Sequence, residues 1–287
     1  MRGERKFMQR MTDREIVKYE NADDIIDTAL WKEDEVTFSV LTGIINYGCR
    51  CVITDHRDFV ICYSCSPYPV WVWVRGGAEE ELLETVWEIT DTKFPKEQGF
   101  RYVMKYSTAD FFLKKAEKKR NPLSVQVNML TYVCRHPKEP QRKTDGGICP
   151  ASMEDLEEMT EFSWLFRRET GVDLLEREAC RQAVEKMIRS GCAYLWKDAA
   201  GRNAAMCSYH ADNGLGRVTH VYTRPDARRR GYAQRLVYEV TRMIKQQGVL
   251  PAIYTDADYA ASNACYRGIG YEQVGSLCTL AGQVQQE

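Results

Sequence analysis

No run of apolar residues in this sequence approaches the ~20 that a membrane-crossing helix needs. The opening stretch, Met1-Arg2-Gly3-Glu4-Arg5-Lys6, is charged with no apolar segment behind it, so neither a leader peptide nor a membrane anchor is expected. An excess of one charge is missing too. Forty basic and 41 acidic residues leave a net charge of -1, which excludes a global field drawing the chain to nucleic acid or to an anionic membrane. Any anion site must be local. Cysteine is plentiful, at 11, but an odd count without a secretory signal argues against a disulfide framework and for reduced, mostly buried thiols. A cytoplasmic location is the expectation.

Cys49, Cys51, Cys62 and Cys65 form one cluster whose spacing could offer thiolates to zinc. Residues 49–54 and 59–63 read instead as two strands joined by the turn Asp55-His56-Arg57-Asp58, with Cys49 and Cys51 on one face as small apolar residues. No metal is expected.

At 287 residues the chain exceeds the usual single-domain size, and two domains of about 140 residues are expected. The polar stretch 136–147, with Pro137, Pro140 and the paired glycines Gly146 and Gly147, breaks every periodicity. It divides the chain into 1–135, a linker at 136–147, and 148–287. In the first part, apolar spacing at Ile25, Ile26, Ala29 and Leu30, then Phe38, Leu41, Ile44 and Ile45, predicts two helices before the hairpin. A strand at 70–74, a helix at 79–90, a strand at 102–106, a helix at 108–119 and a strand at 125–134 follow. In the second part, Ser152 before Glu154 and Asp155 predicts an N-cap, and a second helix is expected at 175–189. Strands are then expected at 193–196, 204–209 and 217–223.

The stretch that organises the rest is 218–240. A β-branched and aromatic run ends at Pro225, a basic turn follows, and Ala233, Leu236, Val237, Val240 and Ile244 recur at helical spacing. Gly231 and Ala233 are small enough for a ligand to approach the main chain. Free amides and the helix dipole favour an anion there, and phosphate is the natural guest.

Val221-Tyr222-Thr223, Pro225 and Arg228-x-x-Gly231-x-Ala233 resemble the acyl-CoA-binding motif of the GCN5-related N-acetyltransferase (GNAT) superfamily. Ile253-Tyr254-Thr255-Asp256, then Ser262-Asn263-x-x-Tyr266 and Ile269-Gly270-Tyr271, resemble its second motif. The resemblance covers about residues 147 to 281. It departs at Tyr259-Ala260-Ala261, where the superfamily more often carries Asn-Pro-Thr. It implies an α+β fold, and the matching order of elements in the first part suggests tandem GNAT-like domains, each a mixed, mostly antiparallel sheet flanked by helices. The first copy lacks the Arg-x-x-Gly-x-Ala loop, and Glu79, Glu80 and Glu81 crowd the helix start where a diphosphate would lie. A structural role, walling the acceptor cleft, is expected for it.

The resemblance also implies acetyl-CoA as cosubstrate and acetyl transfer to a primary amine by direct attack. Main-chain groups of Val221, Tyr222 and Thr223 would hold the pantetheine. Residues Arg228, Arg229, Arg230, Gly231, Tyr232, Ala233 and Gln234 would hold the diphosphate, Asn263 would contact the pantetheine arm, and Tyr266 would protonate the departing thiolate. For the base, His220, Asp256, water or an amine arriving neutral all stay open. The acceptor is expected to be a small molecule or peptide, with no nucleic acid or membrane partner and a monomeric or homodimeric protein. A non-catalytic acyl-CoA-binding sensor is the alternative.

Overall fold

A computed structural model describes residues 17–19, 29–47, 49, 51–171 and 175–282. The start of the chain and the predicted helical residues Ile25 and Ile26 lie outside the described residues. In chain order the elements are β1 (Val17–Tyr19), α1 (Ala29–Lys32), α2 (Ser39–Tyr47), β2 (Cys51–Thr54), β3 (Phe59–Tyr63), β4 (Val70–Val74), α3 (Glu80–Lys93), β5 (Tyr102–Met104), α4 (Tyr106–Lys118) and β6 (Leu123–Val133). They continue with β7 (Gly147–Pro150), α5 (Leu156–Thr170), α6 (Arg177–Arg189), β8 (Ala193–Lys197), β9 (Asn203–Asp212), β10 (Leu215–Thr223), α7 (Tyr232–Gln246), β11 (Leu250–Asp256), α8 (Ala260–Ile269) and β12 (Glu272–Gly282). No helix among the described residues is long and apolar enough to cross a membrane.

The chain divides into two compact units, Met1–Val127 with Ser276–Glu287, and Asn128–Gly275. In the first, strands run in the order β1-β2-β3-β4-β5-β12, antiparallel except for the β4–β5 pair. The hairpin predicted around Asp55 forms because that carboxylate accepts from the main-chain N–H groups of Arg57, Asp58 and Phe59 at 3.1, 2.7 and 3.1 Å. Every residue of β4 is buried, as befits a strand covered on both faces. Trp87 on α3 and Phe112 on α4 meet edge to face over this sheet, with ring centroids 5.0 Å apart. Among the described residues no disulfide forms, and no group of three or more His, Cys, Asp or Glu is placed to hold a metal.

At the α3 start the side chain of Glu79 turns back to the preceding turn and does not cap the helix. Arg75 donates to both carboxylate oxygens of Glu79, at 2.7 and 2.6 Å, and to Asp58 at 2.9 Å. That fork ties the turn at Gly76 and Gly77 to the start of β3.

The second unit orders its strands β6-β11-β10-β9-β8-β7, with β10 and β11 parallel and the other pairs antiparallel. Ser152 caps the turn leading into α5 as its sequence predicts, in a reciprocal capping box with Asp155. Leu236, Val237, Val240 and Ile244 of α7 are fully buried against the sheet. Gly216 on β10 permits that approach, because a β-carbon there would stand 2.4 Å from Ile244 Cγ2.

Two strands change unit along their length. Tyr102 to Met104 of β5 pair with Leu280 to Cys278 of β12, and Val133 to Met129 of β6 pair with Ala252 to Asp256 of β11. The boundary expected at 136–147 therefore falls inside the second unit, where residues 147–150 form the edge strand β7 beside β8. Periodicity cannot reveal this, since the β5–β12 and β6–β11 pairings join residues more than a hundred positions apart. Leu280 is fully buried in the core of the first unit with Met104 and Phe112. Leu280→Ala should destabilise the chain by about 2–5 kcal/mol in urea unfolding. Hydrogen exchange should quicken in 102–104 and not in 203–223; the reverse pattern would contradict the exchanged strand.

Candidate functional site

The parallel ladder between β10 and β11 runs from Leu215 opposite Leu250 to Val218 opposite Ile253, and there it stops. On its other side β10 bulges against β9, with Thr219 opposite Ser208 and Tyr222 opposite Met206, so that one extra residue is taken up. His220 absorbs the irregularity with a φ of 53°, left-handed for a residue with a side chain. Beyond the bulge β11 continues to pair with β6. The edge of β10 from Thr219 to Thr223 thus has no strand partner on the β11 side among the described residues. Main-chain donors and acceptors there are open to an extended ligand.

This edge runs directly into the basic turn. Pro225–Ala227 make one tight turn, Arg228 is extended, and Arg229 and Gly231 are left-handed, with φ of 61° and 90°. Gly231 is the N-cap of α7, and no side chain caps that end. Alternating handedness before a helix start is the geometry in which successive amides converge on an anion. For glycine it carries no steric cost, whereas Arg229 loses about 1–2 kcal/mol and must be held. The Arg142 guanidinium holds it, donating from Nη1 to the Arg229 carbonyl at 2.7 Å.

The arginines have different partners. Arg228 Nη2 donates to both oxygens of Glu169 on α5 at 2.8 Å, its Nε donates to the Thr223 carbonyl, and its guanidinium lies over the Tyr222 ring. Its charge is thereby directed to α5. Arg229 and Arg230 are exposed. Tyr222 is buried, packs on Phe162 and donates its hydroxyl to Glu169 at 3.2 Å, leaving its main chain as the part that faces the open edge. Tyr232 is buried and donates to the Asp145 carboxylate.

The second motif lies beside the first because Gln234 on α7 fits against Gly268 and donates to the Cys265 carbonyl at 3.4 Å, both on α8. Asn263 is 2% exposed, and its Nδ2 donates to the carbonyls of Asp256, Ala257 and Tyr259 at 2.8, 3.3 and 3.0 Å. It closes the turn from β11 into α8, which explains how Tyr259-Ala260-Ala261 is accommodated there. Its Oδ1 is buried with no protein partner. Tyr266 is 5% exposed, meets Tyr271 at 6.1 Å and hydrogen-bonds the Ser262 side chain; burial raises its pKa and keeps the hydroxyl protonated. The Asp256 carboxylate accepts from the Asp258 main chain at 2.9 Å.

His220 has a buried cation for a neighbour. Arg167 on α5 is 7% exposed and places Nη2 3.2 Å from His220 Nε2, while Nδ1 lies 3.2 Å from Thr219 Oγ1. A guanidinium only donates, so Nε2 must accept and Nδ1 carries the proton. Burial, with the Arg167 charge beside it, pushes the His220 pKa down to about 4. The sequence did hold a signal for Arg167. It shares the buried helical phase of Thr160 and Ser163, where a cation is unexpected.

A groove of about 540 Å³ in the first unit, between α3 and α4, is lined by Glu80, Asp110, Lys114, Lys115 and Lys118 among others. It carries neither motif, and the chemistry of the sequence converges on the split in the second unit.

Residues 199–279, which hold the split, the loop and the second motif, match the family model described as FR47-like protein, a GNAT-related family. No curated protein matches the sequence. Among solved structures, a GCN5-related N-acetyltransferase from Sphaerobacter thermophilus superposes with a TM-score of 0.67 at 13% identity, over 95% of this chain and 96% of that one. The chain has the tandem GNAT fold. A GNAT-family acetyltransferase from Colwellia psychrerythraea agrees, with a TM-score of 0.60 at 11% identity over 94% and 100% of the two chains. So does a tandem GNAT protein from the clavulanic acid biosynthesis pathway, with a TM-score of 0.53 at 12% identity over 96% and 100%.

A folded imidazole titrating at about 4, against 6.5 for an unperturbed one, leaves the unfolded chain to take the proton first. The His220 contribution to stability is therefore complete above about 6.5 and lost as pH falls toward 4. An NMR titration should give a His220 midpoint near 4, and Arg167→Met should move it upward. A midpoint near the ordinary ~6.5 would refute the pairing.

Proposed function

We propose that the second unit binds acetyl-CoA along the open edge of β10 and transfers its acetyl group to the primary amine of a small molecule or peptide. The observation that carries this reading is the unpartnered strand edge delivered straight into a left-handed loop at an uncapped helix start. Acetyl-CoA supplies an activated thioester, and a GNAT fold supplies the frame for positioning it. Main-chain groups of Val221, Tyr222 and Thr223 would take the pantetheine as an added strand. Amides from Arg229 to Gln234 would take the diphosphate, with charge from Arg229 and Arg230.

Much of the rate in such a reaction comes from orientation. The protein groups left to supply are charge stabilisation near the bulge and a proton for the leaving thiolate. Tyr266 suits the latter, because burial raises its pKa and holds the proton at neutral pH. His220 suits the role of base poorly. Its Nε2 lone pair is engaged by Arg167 and its pKa of about 4 makes it a weak acceptor. We assign it instead to holding the bulge, and leave deprotonation to water or to an amine that arrives neutral. The Asn263 Oδ1, buried without a protein partner, is a site where a donor on the pantetheine arm would be satisfied. The free cysteines of the described residues fit an enzyme of a reducing compartment such as the cytoplasm.

A second reading, an acyl-CoA-binding module without turnover, is favoured by the burial of Tyr266 in the core. Purified protein, acetyl-CoA and a broad amine panel, followed by thiol release, separate the two. Release above background with at least one amine is expected; tight CoA binding with background release throughout favours the binding module. Tyr266→Phe should leave CoA affinity nearly unchanged and lower turnover roughly 100-fold. Full turnover in that variant would remove the tyrosine from the chemistry.

A further inference from the structure

The segment expected to be a loose linker is laid along the loop and the start of α7, within the second unit. Lys138 N–H donates to the Ile269 carbonyl at 2.7 Å, Glu139 pairs with Arg235 at 2.7 Å, and the Asp145 carboxylate accepts from Tyr232. The Asp145 carbonyl accepts from Trp196 Nε1 at 2.9 Å. Gly146, with φ of 76°, passes so close to the Lys197 carbonyl that a β-carbon there would lie 1.8 Å from its oxygen. Between these ties Arg142 and Thr144 close on Gly231. A β-carbon on that glycine would stand 3.2 Å from both Arg142 Cδ and Thr144 Cγ2. A spacer joining two domains has no reason to make such contacts.

The balance of charge separates the cations around the loop. Arg228 is matched by Glu169, Arg235 by Glu139 and Glu239, and Arg224 by Asp226. Arg142, exposed and fixed by its bond to the Arg229 carbonyl, has no carboxylate partner among the described residues. One of its five donors is spent on that carbonyl, and the rest of the fork sits beside the loop.

We propose that Arg142 belongs to the anion site, holding Arg229 in its left-handed conformation so that the loop amides converge, and adding a guanidinium for the diphosphate of coenzyme A. This rests on the acetyl-CoA reading above. It deepens that reading by moving one cation of the site from Arg228, which the motif named, to a residue outside either motif.

The test is calorimetric titration of the full chain with CoA and with 3′-dephospho-CoA, in wild type, Arg142→Ala and Arg142→Lys. Arg142→Ala should bind both nucleotides about tenfold more weakly, as one charge-assisted bond is worth. Arg142→Lys should recover part of the loss, since it returns the charge without the fork. Thermal melting identifies any variant that fails to fold, and the lysine variant then decides. Unchanged affinity in both variants, tighter binding on removal of Arg142, or a loss seen with CoA alone would each overturn the assignment to the diphosphate. Absence of CoA binding by wild type would defeat the acetyl-CoA reading itself, a result distinct from these.

Discussion

One extra residue in β10 governs the second unit. A regular strand would have continued its parallel ladder along β11 and left a closed sheet with nothing to offer a ligand. The bulge at His220 turns the strand instead, and the ladder ends at Val218 and Ile253. A left-handed histidine is not a conformation the chain adopts without support. Support comes from both sides, with Arg167 at Nε2 and Thr219 at Nδ1, and the Thr219 hydroxyl in turn bonded to Ser208 across the ladder at 2.9 Å. Unsatisfied backbone and backbone strain, which most of a fold avoids, are here concentrated within a dozen residues.

That arrangement explains how charge is spent. The acidic residue Glu169 gathers Arg228 and the Tyr222 hydroxyl, tying the end of β10 to α5. A cation so paired stiffens the end of the strand. The loop is left with its amides, with Arg229 and Arg230, and with the segment that lies over Gly231. Local positive potential can thus exist in a chain whose net charge is -1.

The strands and helices of 70–118 and 193–269 were legible because their apolar residues recur with the period of the element they form. Motif spacing likewise exposed the loop and the turn at Asn263, which are local structures set by neighbours in sequence. What escaped was long-range. Gly147 read as the end of the linker, and residues 148–150 carry no strand signal of their own, since only pairing with β8 makes them one. The partners of β12 and of the end of β6 lie on the far side of the chain. The pairing of Arg228 with Glu169 joins residues 59 positions apart, which motif spacing cannot show. Arg167 falls in the helical phase of Thr160 and Ser163, but a single charge beside the exposed Arg168 and Glu169 marks its burial only weakly.

The exchanged strands bear on how this molecule is made. Residues of β5 acquire their antiparallel neighbour only when 278–280 exist, nearly two hundred positions later. During synthesis at ~5–20 residues per second, the first unit's β5 must wait with an unsatisfied edge while the entire second unit emerges. Folding order is thus inverted relative to translation: Asn128–Gly275 contains all of its own sheet and can close first, and the older segment matures last. A chain truncated before 278–280 would keep one complete sheet and leave the β5 edge of the other open.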